Sequence, residues 1–432
     1  MTDKKKEKKI FVVVSRIARR FRCRSEKAVK FGLSIVIMTS MPLVYMMAFE
    51  AAPEEYHPYF VVERPGEAAV RAVSGPGESD GRREVHTPEF VKAIYITTST
   101  VGWKSRFDEL TSLVERTELN SMVIDIKDHR GAIAFNPKSD ELKPHVSNRA
   151  ELGDLEELTG PLREKGIYLI ARLFVFQDPV FAEANPDLAV GRTWGDGIWR
   201  DYRGIPWLDP ASKKVWQYNA TIAKEAFAGG FDEIQFDYIR FPSDGNLKTI
   251  KYPVWDGVKP KTDVMREFFT YLDNELRVKN GIKTSVDLFG LTMWQHDYDL
   301  NIGQRLVDSM PHFDYISPMV YPSHYPAGFN GYSNPAAMPY EVVYWNMVRG
   351  QELVKKLREE DTERVAANPG AQPIELATFR PWIQDFDLGA VYTADLVRGQ
   401  MVATEDGEGS GWLLWNAGNR YTENALLSAE TE

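Results

Sequence analysis

Charged side chains recur where predicted strands of this sequence end. Asp125, Asp237 and Asp287 each lie at the end of a short apolar run, Arg172 lies on another such run, and Arg240 follows Asp237 by three residues. Carboxyl groups gathered in one site can serve as proton donor, base, nucleophile or cation ligands. We therefore expect these five residues to lie on one face of the fold and to form or border an acidic site.

Aromatic and amide side chains follow the predicted strands in the same way. All eleven tryptophans lie after residue 100, mostly at strand ends or in the loops that follow. Indole faces can stack on the C–H faces of sugar rings, although large aromatics also serve simply to fill space beneath loops. The further candidates for substrate contact are Tyr238, Tyr321, Trp382, Asp385, Trp415 and Asn416.

The elements that must position these residues form a regular alternation. Runs rich in β-branched residues alternate with amphipathic stretches from residue 90 onward, which is the pattern of strands followed by helices. The predicted strands are 92–97, 121–126, 167–175, 233–238, 284–288, 315–321, 374–379 and 411–415. The predicted helices are 106–118, 150–165, 211–228, 263–279, 341–358 and 393–403.

A strand-then-helix repeat predicts parallel pairing with helices outside. Eight strands over roughly 340 residues favour a closed (β/α)₈ TIM barrel over an open doubly wound sheet. The long stretches 176–210 and 322–339 are rich in Trp, Tyr, Pro, Gly and Asn. Such loops belong on the C-terminal face of a barrel, where barrel enzymes place their sites.

Composition narrows the class of protein further. The chain has 432 residues, of which 43% are hydrophobic, so it can bury a large core. The single cysteine excludes a disulfide scaffold and a multi-cysteine metal site. The formal charge of −10 argues against a nucleic-acid partner.

No GxGxxG or GxxxxGK[ST] motif follows the first strand, so the sequence predicts no nucleotide cofactor. The histidines show no metal-ligand spacing, so no metal is predicted either.

The charge is divided unevenly along the chain. Residues 1–30 hold twelve Lys or Arg and three Asp or Glu, and the uncharged segment 31–49 follows. Nineteen uncharged residues after a basic flank predict a signal-anchor helix in the cell membrane, with the N-terminus in the cytoplasm and the body outside. A cleaved signal peptide is the alternative. The composition of segment 50–88 predicts a flexible linker, and 89–432 is the predicted barrel domain.

Two segments carry a resemblance to a known family. The sequence FDEIQFDYIRFP at 231–242, with WRDYRGIPWL at 199–208, resembles a bacterial family classed among the glycoside hydrolases with a TIM-barrel fold, loosely related to the α-amylase-like barrels. The resemblance runs from about residue 92 to about residue 421. It implies hydrolysis of O-glycosidic bonds in a polysaccharide or cell-envelope glycan.

The resemblance also implies roles for the aspartates. In related barrels the nucleophile ends the fourth strand, where Asp237 falls, and Asp287 on the fifth strand is then the candidate acid/base. Arg172 or Arg240 would keep Asp237 ionised. Asp125 would hold substrate hydroxyls or orient Arg172. Retention of configuration is expected by analogy.

Two other functions remain open from the sequence. The barrel could bind envelope glycan without cleaving it, as a scaffold that keeps the aromatics and lacks a working acid pair. Alternatively, Asp125, Asp237 and Asp287 could share a divalent ion in a metal-dependent hydrolase, which requires their oxygens to converge on one point.

Overall fold

A computed structural model describes Arg83, residues 85–128 and residues 130–429. The predicted basic segment 1–30, the predicted membrane segment 31–49 and most of the predicted linker 50–88 lie outside these residues. Within the described part of the chain, no helix is long and apolar enough to cross a membrane.

Eight parallel strands close into a barrel, which confirms the predicted architecture. They are β1 Val91–Ile96, β2 Ser121–Asp125, β3 Tyr168–Phe174, β4 Glu233–Asp237, β5 Lys283–Phe289, β6 Tyr315–Met319, β7 in two pieces, Thr378–Phe379 and Trp382–Gln384, and β8 Gly411–Trp415. Each strand pairs with the next along the chain, and β8 pairs with β1, where Val91 lies opposite Gly411.

The seventh strand lies later in the chain than predicted. Residues 374–377 precede it, and Arg380 and Pro381 separate its two pieces. Proline has no backbone N–H and cannot donate to a strand ladder, which accounts for the interruption. The second piece, Trp382–Gln384, pairs with β8 and touches β6 through Trp382 opposite Met319.

Helices surround the barrel. They are α1 Lys104–Arg116, α2 Leu155–Glu164, α3 Lys213–Ala228, α4 Lys261–Leu272, α5 Leu306–Ser309, α6 Pro339–Ala367 and α7 Ala394–Asp406, with shorter helices at Thr98–Val101 and Pro179–Ala184. A π-helical turn at Asp273–Val278 extends α4. Helix α6 runs nine residues beyond its predicted end at 358, because its last turns are charged and largely exposed and no longer show an apolar period.

Side-chain alternation along the strands determines what lies inside the barrel. On β4, Ile234 and Phe236 join the hydrophobic core, while Glu233, Gln235 and Asp237 make polar contacts with other barrel strands. This period of two places Asp237 at the C-terminal end of the barrel interior. The chain after β3 and the chain after β4 also pair with each other, through a two-stranded ribbon of Gly191–Arg192 and Ile250–Lys251.

Contacts with the barrel begin before residue 89. The Arg83 guanidinium donates to the backbone oxygens of Gly230 and Phe231 and lies 3.5 Å from the Asp232 carboxylate. It also lies 4.5 Å from the centre of the Phe227 ring. Arg83 therefore packs against the turn between α3 and β4, although the sequence placed it in the linker.

Candidate active site

One guanidinium lies among the three strand-end aspartates. Arg172 Nη1 donates to Asp125 Oδ1 at 2.8 Å, its Nε lies 3.3 Å from Asp287 Oδ2, and its Nη2 donates to Asp237 Oδ2. All four side chains are buried. The structure thus brings together these four residues, here called the aspartate–arginine cluster.

Strand register explains why the cluster forms. Asp125 on β2 lies opposite Arg172 on β3, and Phe174 on β3 lies opposite Asp237 on β4. Neighbouring strands of a barrel are staggered but all run in the same direction, so side chains at their C-terminal ends gather at one end of the barrel. The cluster therefore occupies the C-terminal end of the barrel, as predicted from the sequence.

Each aspartate in the cluster has a second hydrogen-bond donor. The Tyr95 hydroxyl donates to Asp125 Oδ2, and Trp382 Nε1 donates to Asp287 Oδ1 at 2.8 Å. The backbone N–H of Tyr238 donates to Asp237 Oδ1 at 2.6 Å. Both oxygens of every carboxyl group are thus bonded, which fixes their orientation before any substrate binds.

The backbone at Tyr238 is strained to make its contact. Its φ is +54°, in the left-handed region that bulky residues rarely adopt. Strained backbone of this kind persists where the surroundings hold it, and it is concentrated at functional sites. Here it directs an N–H group at the carboxylate of Asp237.

Burial raises the pKa values of two aspartates in the cluster, Asp287 and Asp125. Burial raises the pKa of Asp287 well above its ordinary value, the negative charge of Asp237 raises this pKa further, and Arg172 and Trp382 oppose the rise. Burial also raises the pKa of Asp125, against the opposing effect of Arg172. A buried carboxyl group with a raised pKa can remain protonated and act as a proton donor.

An aromatic wall borders the cluster on the β8 side. The rings of Tyr95 and Trp415 stack with centres 4.1 Å apart, and Trp382 meets Trp415 edge-on at 5.4 Å. The ring centres of Tyr321 and Trp415 are 6.4 Å apart, and the Arg172 guanidinium carbon lies 5.1 Å from the centre of the Trp415 ring. Trp415 is partly exposed, whereas Trp382 and Tyr321 are buried. Trp415 is therefore the tryptophan of this wall with a surface available to a sugar ring.

Arg240 lies beside the cluster and forms no ion pair with Asp237 among the described residues. Its Nη1 donates to Ser243 Oγ at 2.8 Å and to the backbone oxygen of Phe241 at 3.2 Å. The guanidinium stacks over the Trp207 ring at 4.7 Å. Of the two arginines that the sequence offered as partners of Asp237, Arg172 is the one that binds it.

Asp385 and Asn416 hold the segment after β8. The Asp385 carboxylate accepts from the Thr422 backbone N–H at 2.8 Å and from the Thr422 hydroxyl at 2.7 Å. Asn416 donates to the backbone oxygen of Asp385 and accepts from the N–H of Gly418 at 2.8 Å. The side chains of Asp385 and Asn416 thus bind atoms of the loops that follow β7 and β8. They contribute none of the hydrogen bonds that hold the aspartate–arginine cluster together.

Tyr95 is a site residue that the sequence analysis missed. The alternation on β1 that points Ala93 inward also points Tyr95 inward, and this signal could have identified it.

The cluster also bears on the metal hypothesis, because the Arg172 guanidinium occupies the space between the three carboxylates. In the part of the chain that the structure describes, no group of three or more His, Cys, Asp or Glu could hold a metal ion.

Comparison with known proteins identifies the family of the chain. A family model described as "Putative glycosyl hydrolase domain" matches residues 93–421. A hypothetical protein from Ruminiclostridium thermocellum is 35% identical, with 45% of this chain and 96% of that chain covered and a TM-score of 0.41. None of the curated proteins compared with the chain matches it.

Two more distant structures are glycoside hydrolases by name. The PgaB (BpsB) glycoside hydrolase domain from Bordetella bronchiseptica is 13% identical with a TM-score of 0.51, covering 76% of this chain and 95% of that one. The α-galactosidase TtGalA from Thermus thermophilus is 13% identical with a TM-score of 0.44, covering 78% of this chain and 60% of that one. At such identity the first of these supports the barrel fold alone.

Proposed function

Because the chain belongs to the family described as "Putative glycosyl hydrolase domain", we propose that it hydrolyses O-glycosidic bonds of a polysaccharide or cell-envelope glycan. The observation that carries this proposal is a pair of carboxyl groups, Asp237 and Asp287, bound to neighbouring nitrogens of Arg172 at the C-terminal end of the barrel. Glycoside hydrolysis requires two carboxyl groups of different protonation in one site.

The two carboxyl groups divide the reaction between them. Asp287, with its raised pKa, donates its proton to the glycosidic oxygen as the bond from that oxygen to the anomeric carbon breaks. Asp237, ion-paired with Arg172, attacks or stabilises the positive charge that develops at the anomeric carbon. Asp287 then takes a proton from the incoming water, and this water releases the sugar.

The shared guanidinium favours retention of configuration. Nε and Nη2 lie along one edge of a guanidinium, so the two carboxyl groups approach neighbouring positions. Retaining enzymes hold their carboxyl groups about 5–5.5 Å apart, whereas inverting enzymes need about 6.5–9.5 Å to admit a water. Analysis of the first-formed anomer by ¹H NMR distinguishes the two.

Several neighbours are proposed to contact the sugar. The exposed side of Trp415 would stack on a ring, and Asp125 would bind hydroxyls through lone pairs that Tyr95 and Arg172 leave free. Tyr238 and Tyr321 adjoin these groups. Arg240, Asp385 and Asn416 would act farther out, at the rim.

The test is a screen of the full-length chain on envelope and storage polysaccharides. We expect the wild type to release reducing ends from at least one polymer and Asp237→Asn to release none above background. Asp308→Asn is the matched control, because Asp308 is a buried, ion-paired aspartate in α5 and outside the cluster. If Asp237→Asn cleaves as well as the wild type, the assignment is wrong. Tight binding without cleavage by the wild type would favour a glycan-binding scaffold.

We also propose that residues 31–49 anchor the chain in the cell membrane with the barrel outside the cytoplasm. The support is the uncharged 19-residue segment and its basic flank. A reporter fused after Glu432 should be active only outside the cytoplasm, and the intact chain should remain with membranes after alkaline extraction. A barrel recovered in soluble form, with a new N-terminus near residue 50, would indicate a cleaved signal peptide instead.

A further inference from the structure

The indole of Trp382 is placed to act on Asp287 and has little surface for a substrate. Its side chain is 1% exposed, and its ring lies edge-on to Tyr95 at 6.2 Å and to Trp415 at 5.4 Å. Its Nε1 donates to Asp287 Oδ1 at 2.8 Å. A sugar-stacking role requires an open ring face, and this ring is enclosed.

We propose that Trp382 is a positioning residue, which holds the acidic proton of Asp287 on Oδ2, the oxygen that contacts the guanidinium shared with Asp237. The inference rests on the proposed function and deepens it, because it names the atom that delivers the proton.

The two oxygens of Asp287 have unequal partners. Oδ1 accepts a hydrogen bond of 2.8 Å from Trp382, whereas Oδ2 lies 3.3 Å from Arg172 Nε. A protonated carboxyl group has one carbonyl oxygen and one hydroxyl, and the carbonyl oxygen is the better acceptor. The indole N–H and the Arg172 Nε–H can both only donate, so the difference lies in their distances: the shorter hydrogen bond, from the indole, selects Oδ1 as the carbonyl and leaves the proton on Oδ2.

Oδ2 is also the oxygen on the reactive side. It contacts Arg172, and the same guanidinium binds Asp237 through Nη2. A glycosidic bond between the two carboxyl groups would therefore face Oδ2. With the proton on Oδ1 instead, the hydroxyl would be directed toward the indole and away from the leaving oxygen.

The groups around Asp287 determine in which direction its pKa should change when Trp382 is replaced. Burial and then Asp237 on β4 raise the pKa of Asp287, and Arg172 on β3 and the Trp382 N–H on β7 lower it. Asp125 and Tyr95 act one step farther away, as partners of Arg172. Removing the indole N–H therefore removes a stabiliser of the ionised form, and the pKa of Asp287 should rise.

The experiment compares Trp382→Phe with Trp412→Phe in the full-length chain. Trp412 is a matched control, because it is fully buried on β8 and its Nε1 has no hydrogen-bond partner in the described part of the chain. We expect Trp382→Phe to shift the upper limb of the kcat/KM–pH profile to higher pH by about one pH unit and to lower kcat about tenfold. Trp412→Phe should leave the profile unchanged. Equal profiles for wild type and Trp382→Phe would overturn the inference.

A second measurement needs no turnover. The indole ¹H–¹⁵N signal of Trp382, assigned through its contacts with the Tyr95 and Trp415 rings, should titrate as Asp287 ionises, while the Trp412 signal stays constant. A Trp382 signal that does not change with pH would overturn the inference whatever the activity. If it titrates but no glycan is cleaved, the proposed function fails, while the control of Asp287 by Trp382 is supported.

Discussion

The barrel interior contains two arginine–carboxylate clusters, one toward each end. At the C-terminal end Arg172 binds three aspartates. Toward the N-terminal end Arg380 lies 2.6 Å from Glu233, and both side chains are fully buried. The Tyr168 hydroxyl donates to Glu233 at 2.9 Å, and the guanidinium of Arg380 lies 3.4 Å from the centre of the Tyr315 ring.

The difference between the clusters lies in the balance of charge. In the lower cluster, at the N-terminal end, one guanidinium, that of Arg380, pairs with one carboxylate, that of Glu233. The pair is therefore neutral, and both side chains are buried. In the aspartate–arginine cluster one cation meets three carboxyl groups, and burial raises the pKa of two of them, Asp125 and Asp287. An excess of buried carboxyl groups opposes folding, and such arrangements are found where chemistry needs them. The comparison therefore assigns stability to the lower cluster and function to the aspartate–arginine cluster.

The largest expected effect is on activity in the aspartate–arginine cluster. Asp237→Asn should lower kcat by roughly 10⁴-fold, because the group that stabilises the anomeric carbon is lost. Its free energy of unfolding should change by less than about 2 kcal/mol, since Arg172 keeps hydrogen bonds to two other carboxyl groups. Enzyme kinetics and urea unfolding measure the two quantities. A variant that unfolds readily would instead give Asp237 a structural role.

The lower cluster should show the opposite pattern. Glu233→Gln leaves Arg380 buried without a counter-ion and should reduce the free energy of unfolding by about 3–5 kcal/mol. The kcat per folded molecule should be retained. Lys104→Ala provides the control, because the exposed pair of Lys104 and Asp108 should contribute under about 1 kcal/mol. Loss of kcat in folded Glu233→Gln would remove the distinction between the clusters.

A smaller effect should appear in the pH dependence of stability. The pKa of Asp287 is higher in the folded chain than its ordinary value of 3.8. Wild-type stability should therefore fall, relative to that of Asp287→Asn, as pH rises from about 4 through the raised pKa, at a slope of up to about 1.4 kcal/mol per pH unit. Below pH 4 the difference should be constant. Urea unfolding of both proteins between about pH 3.5 and about pH 8 measures it, and a difference independent of pH would contradict the raised pKa.

Sequence periodicity predicted the parts of the site that depend on strand ends. Asp125, Arg172, Asp237 and Asp287 were identified because they lie on predicted strands or at their ends, and parallel barrel strands bring their C-terminal ends to one face. The contact of Trp382 with Asp287 was not predictable, since it joins a side chain on β7 to a carboxyl group on β5 across the barrel, and no local pattern specifies such a pair. The engagement of Asp385 with Thr422 joins residues far apart in sequence, and no local pattern indicates it.

The most direct test of the account uses aryl glycosides of the sugar released in the screen, with leaving groups of different acidity. A good leaving group departs without protonation, so the kcat/KM deficit of Asp287→Asn should shrink as the leaving group becomes more acidic. The deficit of Asp237→Asn should persist across the series. Deficits that follow the same trend in both variants would contradict the division of roles between the two carboxyl groups.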